Sequence, residues 1–285
     1  MGNSRRTGRT RLHRGRRRPR LIAEDSMSEP LQQGREAMDI GEFVQAEASF
    51  RAHLEAQPES PDGYFWLAEA LAEQGRGAEA IDYYRQGLKR TPDDLDALMA
   101  LGDLYFETGE SRSALDVYQQ VLGHGDVADA WVSIGLVHYS MERIEEAIDA
   151  YRKALTLEKD NVFALNSLGD ALYAAGDAEA ACDCYRRVVE LDPQDAQAHF
   201  NLAEMHYDSG DLKVAEEECR SALSLDPGLS EAYLTLGNLY LDQERLRDAV
   251  TAYEEFLSRE NSPAAHEIIS EVRLLLEGLH EQIGG

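Results

Sequence analysis

The stretch LGDALYAAGDAEAA, residues 168–181, contains two glycines seven residues apart, and Asp follows each of them. Taken alone, this spacing suggests a glycine-rich loop that binds phosphate. The chain repeats the stretch almost unchanged, however: LGDLYFETGESRSA begins at residue 101 and LGNLYLDQERLRDA begins at residue 236. Recurrence at a nearly constant interval of 67 to 68 residues indicates a structural unit that is used several times.

Alignment on this pattern divides residues 27–263 into seven copies, six of 34 residues and one of 33. Position 8 of every copy is Gly or Ala, and position 20 is always Ala. Position 24 is aromatic in six copies, and Cys219 takes its place in the sixth copy. The predicted repeats are 27–60, 61–94, 95–127, 128–161, 162–195, 196–229 and 230–263.

The recurring positions have helical spacing. Positions 4, 7, 8 and 11 lie on one face of a first helix, and positions 20, 24, 27 and 28 lie on one face of a second. Position 15, between them, is Gly in five copies, and Gly ends a helix in the left-handed conformation at little steric cost. Glu142 and Glu244 stand there in the other two copies, so we expect those turns to close differently. Four copies end in a residue suited to cap the next helix: Ser60, Asp94, Asn161 and Asp195.

The small residues at positions 8 and 20 allow two antiparallel helices to approach closely, while large residues fill the seam. One such pair cannot bury its apolar faces alone, so successive pairs must stack. The sequence therefore predicts an all-α protein, an α-solenoid of helix-turn-helix units. The glycines of residues 168–181 are then a close helix crossing and a helix stop, and they form no phosphate site.

The repeat resembles the tetratricopeptide repeat (TPR) family. The resemblance is carried by WVSIGLVHY (131–139), YLTLGNLY (233–240), AIDAYRKAL (147–155) and ELDP (190–193). It implies a right-handed superhelix of seven TPR units that acts as a non-catalytic protein-interaction scaffold or adaptor. The first copy departs from the family pattern at Pro30 and Gln33, where large apolar residues are usual, so we expect its first helix to be short.

The two ends of the chain differ in character. Residues 264–285 carry an apolar stripe at helical spacing, which predicts a helix capping the last repeat; binding of a partner or self-association is the alternative. Residues 1–26 are Arg-rich and are predicted to be disordered. Three interpretations of this tail remain open. It binds nucleic acid or an anionic surface, which would make the protein a nucleic-acid-associated adaptor whose repeats recruit protein; it docks in cis on the acidic repeats; or Met27 is the working start of the protein.

Charge and cysteine content limit the class of protein. The chain has 28 basic and 54 acidic residues, and nine arginines fall within residues 1–20. The rest of the chain thus carries about −35, so we expect it to repel nucleic acid and attract basic partners. No apolar run is long enough to span a bilayer, and three cysteines without a disulfide spacing favour a reducing, cytoplasmic location.

We find no pattern of catalytic residues, and no cofactor or metal is predicted. His199, His206 and Cys219 share one repeat, but the two histidines are seven residues, about 10.5 Å, apart along a helix. That separation is too large for one ion, so these are predicted to be packing residues. Cys182 and Cys184 point in different directions on one helix and are predicted to be inert.

The TPR resemblance also implies where a partner binds. In the family, positions 2, 5, 6, 9, 12 and 13 of the first helix line the concave groove. We therefore predict a groove of acids, aromatics and asparagines that takes a basic, partly apolar peptide or helix. Solubility alone is the competing explanation of the acidity. Chaperone-binding relatives clamp a carboxylate with Lys and Arg, whereas only Arg35 is available here, so that activity is not expected. The predicted site residues are Phe65, Glu69, Glu73, Asp96, Asp103, Phe106, Glu107, Tyr139, Phe163, Asn166, Asp170, Tyr173, Phe200, Asn201, Glu204, Tyr207, Asn238 and Asp242.

Overall fold

The computed structural model describes residues 28–284, and within this range the chain is helical with no strand. The helices are α1 (Glu29–Asp39), α2 (Phe43–Ala56), α3 (Pro61–Glu73), α4 (Gly77–Leu88), α5 (Leu95–Glu107), α6 (Ser111–Gly123), α7 (Ala128–Ser140), α8 (Ile144–Leu157), α9 (Val162–Ala174), α10 (Ala178–Leu191), α11 (Ala196–Asp208), α12 (Leu212–Leu225), α13 (Ser230–Asp242), α14 (Leu246–Arg259) and α15 (His266–Gly284). The prediction of an all-α repeat of helix pairs is confirmed.

Within the described residues, the helices form two compact units, residues 28–158 and 159–284. Unit 1 contains α1 to α8 and unit 2 contains α9 to α15. In each unit, every helix packs on the next one along the chain. Odd-numbered helices also contact one another, α1 with α3 and α5 with α7 in unit 1, and α11 with α13 in unit 2. We call the side of each unit formed by its odd-numbered helices, from α1 to α13, the inner face.

The predicted helix caps are confirmed. The side chains of Ser60, Asp94, Asn161 and Asp195 each accept a hydrogen bond from the backbone N–H three residues later, at 2.9 to 3.3 Å. Each residue thereby satisfies one of the N–H groups that a helix N-terminus leaves without an intrahelical partner. These caps begin α3, α5, α9 and α11, so the sequence specifies where inner helices start.

The turns between paired helices close in the same way in all seven repeats, which corrects one prediction. Glu142 and Glu244 have φ of 59° and 57°, the left-handed conformation that Gly176 adopts at 86°. The hydrogen bonds of the turn are also the same: the N–H of Arg143 donates to His138, as that of Asp177 donates to Leu172. Packing of the two helices therefore imposes the turn even where no glycine is present.

Glycine at position 8 makes room for the aromatic ring at position 24 of its own repeat. A Cβ placed on Gly135 would lie 2.4 Å from Tyr151, and one on Gly237 would lie 2.4 Å from Tyr253. Five repeats share this contact. In the sixth repeat Ala203 stands at position 8, and the ring is replaced by the smaller Cys219.

The first and last helices close the ends of the repeats. Helix α1 has 11 residues against 13 for the other inner helices, as expected, and Gln33 is exposed where later repeats bury Leu or Ile. At the other end, Val272, Leu276 and Leu279 of α15 are buried in one apolar cluster with residues of α13 and α14. The predicted capping helix is confirmed, although residues Pro263–Ala265 form a 3-10 turn before it and the side chain of Ser262 makes no capping hydrogen bond.

Two further predictions concern the N-terminal segment and membrane-spanning helices. The Arg-rich segment 1–26, with its three interpretations, lies outside the described residues, and so does Met27. Among residues 28–284, no helix combines the length and the low polarity that crossing a bilayer requires.

Candidate peptide-binding face

Positive charge is absent from most of the inner face. Helices α3, α5, α7, α9, α11 and α13 contain no Lys and no Arg, while each of them carries at least one Asp or Glu. The even-numbered helices α2, α4, α6, α8, α10, α12 and α14 all contain Lys or Arg. Among helices α2 to α14 both sides of each unit carry acids, but Lys and Arg occur only on the even-numbered helices, a segregation that solubility alone does not require.

Tyrosines on the second helix of a pair donate hydrogen bonds to side chains on the inner helix of the same pair. The hydroxyl of Tyr118 donates to Asp103 at 2.6 Å, and that of Tyr185 donates to Asp170 at 2.7 Å. The same bond, across 15 residues, joins Tyr84 to Glu69 and Tyr253 to Asn238. These tyrosines are position 24 of their repeats, so the side chain at position 9 is oriented by the second helix of its own pair. This role was not predicted from the sequence, although the constant 15-residue spacing between positions 9 and 24 is a signal that could have indicated it.

A second set of tyrosines links consecutive inner helices of unit 2. Tyr173 on α9 donates to Asp208 on α11 at 2.7 Å, and Tyr207 on α11 donates to Asp242 on α13 at 2.6 Å. Burial is the main cause that raises the pKa of Tyr207, and the hydrogen bond to Asp242 adds to it. The phenol therefore stays protonated and remains a donor at neutral pH.

Four of the predicted groove residues belong to the core instead. Phe65, Glu69, Phe200 and Asn201 are each at most 4% exposed. Phe65 packs against the ring of Tyr84, and the side chain of Asn201 accepts a hydrogen bond from Gln197 at 2.9 Å. These four side chains are buried because their helix positions turn toward neighbouring helices of the stack, and their contact with a ligand stays a prediction.

The remaining predicted residues retain some exposure. Glu73, Glu107 and Asp242 are exposed, and the others are partly buried: Asp96, Asp103, Phe106, Tyr139, Phe163, Asn166, Asp170, Tyr173, Glu204, Tyr207 and Asn238. Nδ2 of Asn166 donates to Asp195 at 3.2 Å, while its Oδ1 is buried and accepts no hydrogen bond within the described residues. That these side chains bind a ligand remains a prediction.

His199 and Cys219, two of the three residues considered above as metal ligands, are packed within the protein. Nδ1 of His199 is 2.6 Å from Oε2 of Glu218, and Cys219 is fully buried. Burial is the main cause that raises the pKa of the Cys219 thiol to about 12. The part of the chain that the structure describes brings no group of three such side chains together around a possible ion. Cys182, Cys184 and Cys219 all remain thiols.

Comparison with known families agrees with the repeat structure. Models described as "Tetratricopeptide repeat" match residues 31–95, 166–230, 71–131 and 206–271, and a "TPR repeat" model matches residues 135–176. Together these matches cover most of the chain. The chain is a tetratricopeptide repeat protein. TPR proteins are in general scaffolds for protein interaction, and the repeats of this chain support such a role.

Solved TPR structures share the fold at low sequence identity. A TPR protein from Parabacteroides merdae is 20% identical, with a TM-score of 0.65 over 88% of this chain and 97% of that one. The C-terminal part of a TPR protein from Cytophaga hutchinsonii is 19% identical, with a TM-score of 0.65 over 84% and 99%. YrrB, a TPR protein with an unusual peptide-binding site, is 22% identical, with a TM-score of 0.51 over 64% and 95%. The comparison with curated proteins found no match.

Proposed function

We propose that the inner face of this TPR protein binds a segment of a partner protein that carries Lys or Arg together with apolar side chains. The observation that carries the proposal is the segregation of charge, since the inner helices from α3 to α13 contain acids and no Lys or Arg. A surface that only maintains solubility would mix both signs on both sides. A face of one sign attracts ligands of the opposite sign.

The tyrosine contacts supply a mechanism for selectivity. An ionised carboxylate has two oxygens that together accept about four hydrogen bonds. Tyr118 donates to Asp103 and Tyr185 donates to Asp170, so each of these carboxylates is oriented before a guanidinium or an ammonium group of a ligand arrives. Because the tyrosines already restrict these side chains, less conformational entropy is lost when a ligand binds. Charge-assisted hydrogen bonds of this kind are the strong ones.

Aromatic and amide side chains complete the proposed face. Phe106, Tyr139 and Phe163 are partly buried and offer ring surface to apolar groups or to cations. Asn166 is partly buried and carries an amide group of the kind that binds a peptide backbone. The peptide-binding site of YrrB, a distant structural relative, makes a peptide ligand plausible for this fold. We also propose a cytoplasmic location, because the three cysteines are free thiols and thiols persist in reducing compartments.

The proposal is tested by selecting ligands from a displayed library of random peptides with the full chain as bait. We expect the selected peptides to be enriched in Lys, Arg and large apolar residues. A fluorescent copy of one of them should bind at about 0.05 M salt and lose most of its affinity at about 0.5 M, because salt screens exposed charges over that range. Affinity that does not change with salt would refute the electrostatic part.

The position of the site is tested with matched charge reversals in unit 1. Glu73→Lys with Glu107→Lys changes two exposed residues of the inner helices α3 and α5. Asp82→Lys with Asp116→Lys makes the same charge change at exposed residues of α4 and α6. We expect the first pair alone to weaken binding. Equal weakening by both pairs would mean that net charge acts and that the inner face is not the site.

A further inference from the structure

The first described residue lies beside the N-terminus of a neighbouring inner helix. The hydroxyl oxygen of Ser28, which caps α1, is 2.6 Å from Nδ1 of His53. Nε2 of the same ring is 2.9 Å from the hydroxyl oxygen of Ser60, which caps α3. The chain that precedes Ser28 is therefore attached one imidazole ring away from the start of α3, at one end of the inner face of unit 1.

This end of the inner face is acidic. Asp62 is the second residue of α3, Asp94 caps α5, and Asp96 is the second residue of α5. Asp62 is partly buried; its burial raises the pKa of its carboxyl, and repulsion by Asp94 raises it further. Burial lowers the pKa of His53, so this neighbour supplies little positive charge at neutral pH. A cation placed here would relieve repulsion between carboxylates that already interact.

The segment attached at this end has the chemistry that the face attracts. Residues 5–20 contain nine arginines, no acid and no lysine. A guanidinium presents a planar set of donors that matches a carboxylate. Seven residues lie between Arg20 and Ser28, and the eight Cα-to-Cα steps that join these two residues span at most about 27 Å. Packed helices are about 8 to 10 Å apart, so α3 and α5 are both within reach.

We propose that residues 5–20 occupy the inner face of unit 1 in cis and compete with the basic ligand of the proposed function, on which this inference rests. The tether gives the segment an effective concentration of about 1 mM at the face. If the same segment binds in trans with a dissociation constant of about 50 µM, the tether reduces the apparent affinity of an external ligand by about 20-fold. An external ligand then binds only when it displaces the segment or when the segment binds elsewhere.

The test uses a fluorescent synthetic peptide of residues 5–20 and three full-length chains. The first is the native chain, the second has all nine arginines changed to Gln, and the third has them changed to Lys. We expect the peptide to bind the Gln chain about 20-fold more tightly than the native chain at about 0.05 M salt. The Lys chain should behave like the native chain, because it keeps the charge. The difference should disappear at about 0.5 M salt.

Two controls locate the contact. Glu73 and Glu107 end α3 and α5, about 17 Å from Asp62 and Asp96, a distance that the 16 residues of the segment can span. Adding Glu73→Lys and Glu107→Lys to the Gln chain should weaken peptide binding, whereas adding Asp82→Lys and Asp116→Lys should preserve it. Equal affinity of the peptide for the native and Gln chains, or equal loss in both charge-reversed chains, would overturn the inference.

A second probe separates the two proposals. This probe is a basic, apolar peptide obtained from the display selection and unrelated to residues 5–20. If it binds the native and Gln chains equally well through the inner face, the proposed function stands and occupation in cis is refuted. If neither peptide binds any of the chains, the proposed function fails and the inference fails with it.

Discussion

The hydroxyl of Tyr207 donates a 2.6 Å hydrogen bond to Oδ2 of Asp242, 35 residues later on the next inner helix. Tyr173 and Asp208 form the same bond one repeat earlier, at 2.7 Å. Each bond joins position 12 of one repeat to position 13 of the next, so it ties neighbouring inner helices of unit 2 together and orients a carboxylate. The acids of this face thus have a structural partner as well as a proposed ligand.

Removal of this hydroxyl should weaken unit 2 modestly. Tyr207→Phe keeps the ring and deletes the donor, and we expect the free energy of unfolding to fall by about 1 kcal/mol, the usual net value of one hydrogen bond. Urea unfolding followed by circular dichroism measures the change. Tyr233→Phe is the control: its ring lies over Arg259, a contact that does not need the hydroxyl, so we expect less than about 0.5 kcal/mol. A loss for Tyr207→Phe no larger than the loss for Tyr233→Phe would show that the Tyr207 hydrogen bond adds no stability.

The close contact at position 8 predicts opposite effects for one substitution at two glycines of unit 2. Gly237→Ala would place a methyl group 2.4 Å from the ring of Tyr253, and we expect it to cost about 1 to 3 kcal/mol through overpacking. Gly278 lies within α15 with no atom near its added Cβ, so Gly278→Ala should stabilise by about 0.5 to 1 kcal/mol. Thermal unfolding of the two variants compares them directly. Stabilisation of both would contradict the packing account.

The two left-handed glutamates predict stabilising substitutions. Glu244→Gly removes the steric cost of a side chain at φ 57°, and we expect a gain of about 1 kcal/mol in unfolding free energy. Glu142→Gly should act in the same direction. The control, Glu254→Gly, makes the same chemical change at an exposed residue in the middle of α14, where Gly costs about 1 kcal/mol. A loss of stability in Glu244→Gly would mean that its side chain makes a compensating contact.

Stability should fall in mild acid through His53. Its side chain is 2% exposed, and burial lowers its pKa from the usual 6.5, with a smaller opposing effect from Asp62. The unfolded chain therefore binds a proton before the folded chain does. The contribution of the neutral ring is fully present above about pH 6.5 and is lost as the pH falls toward the folded-state pKa.

The measurement compares the native chain with His53→Gln by urea unfolding at pH 7.5 and pH 5. His138, whose pKa burial also lowers, remains in both chains, so its contribution cancels in the comparison. We expect the native chain to lose more unfolding free energy between the two pH values than the variant loses. Identical pH dependence would show that His53 does not titrate in this way.

Much of the fold was accessible from local signals. Ser60, Asp94, Asn161 and Asp195 cap helices as predicted because capping depends on a side chain and a backbone N–H only three residues away. The failure at Glu142 has the opposite cause. Its side chain disfavours the left-handed turn, but the packing of α7 on α8 outweighs a cost of about 1 kcal/mol, and no local rule contains that packing energy.

The candidate site was predictable only in part. The resemblance to the TPR family assigned Glu73 and Glu107 to the groove, and both are exposed. The same resemblance assigned Phe65 and Phe200 to the groove, yet both are buried, because a position on a helix in a stack has neighbours on several sides. Exposure depends on how far each adjacent helix covers a position, and the repeat pattern does not specify that distance.

The sequence by itself determined the helix pairs, their number, their caps and the lack of Lys and Arg on the inner helices from α3 onward. These properties follow from spacing and residue type within one repeat. Only the tertiary structure decided which acids remain accessible and which are held by tyrosines such as Tyr118 and Tyr207. The physical reason is that a hydrogen bond across 15 or 35 residues requires packed helices at a definite separation, which arises from the joint packing of many side chains.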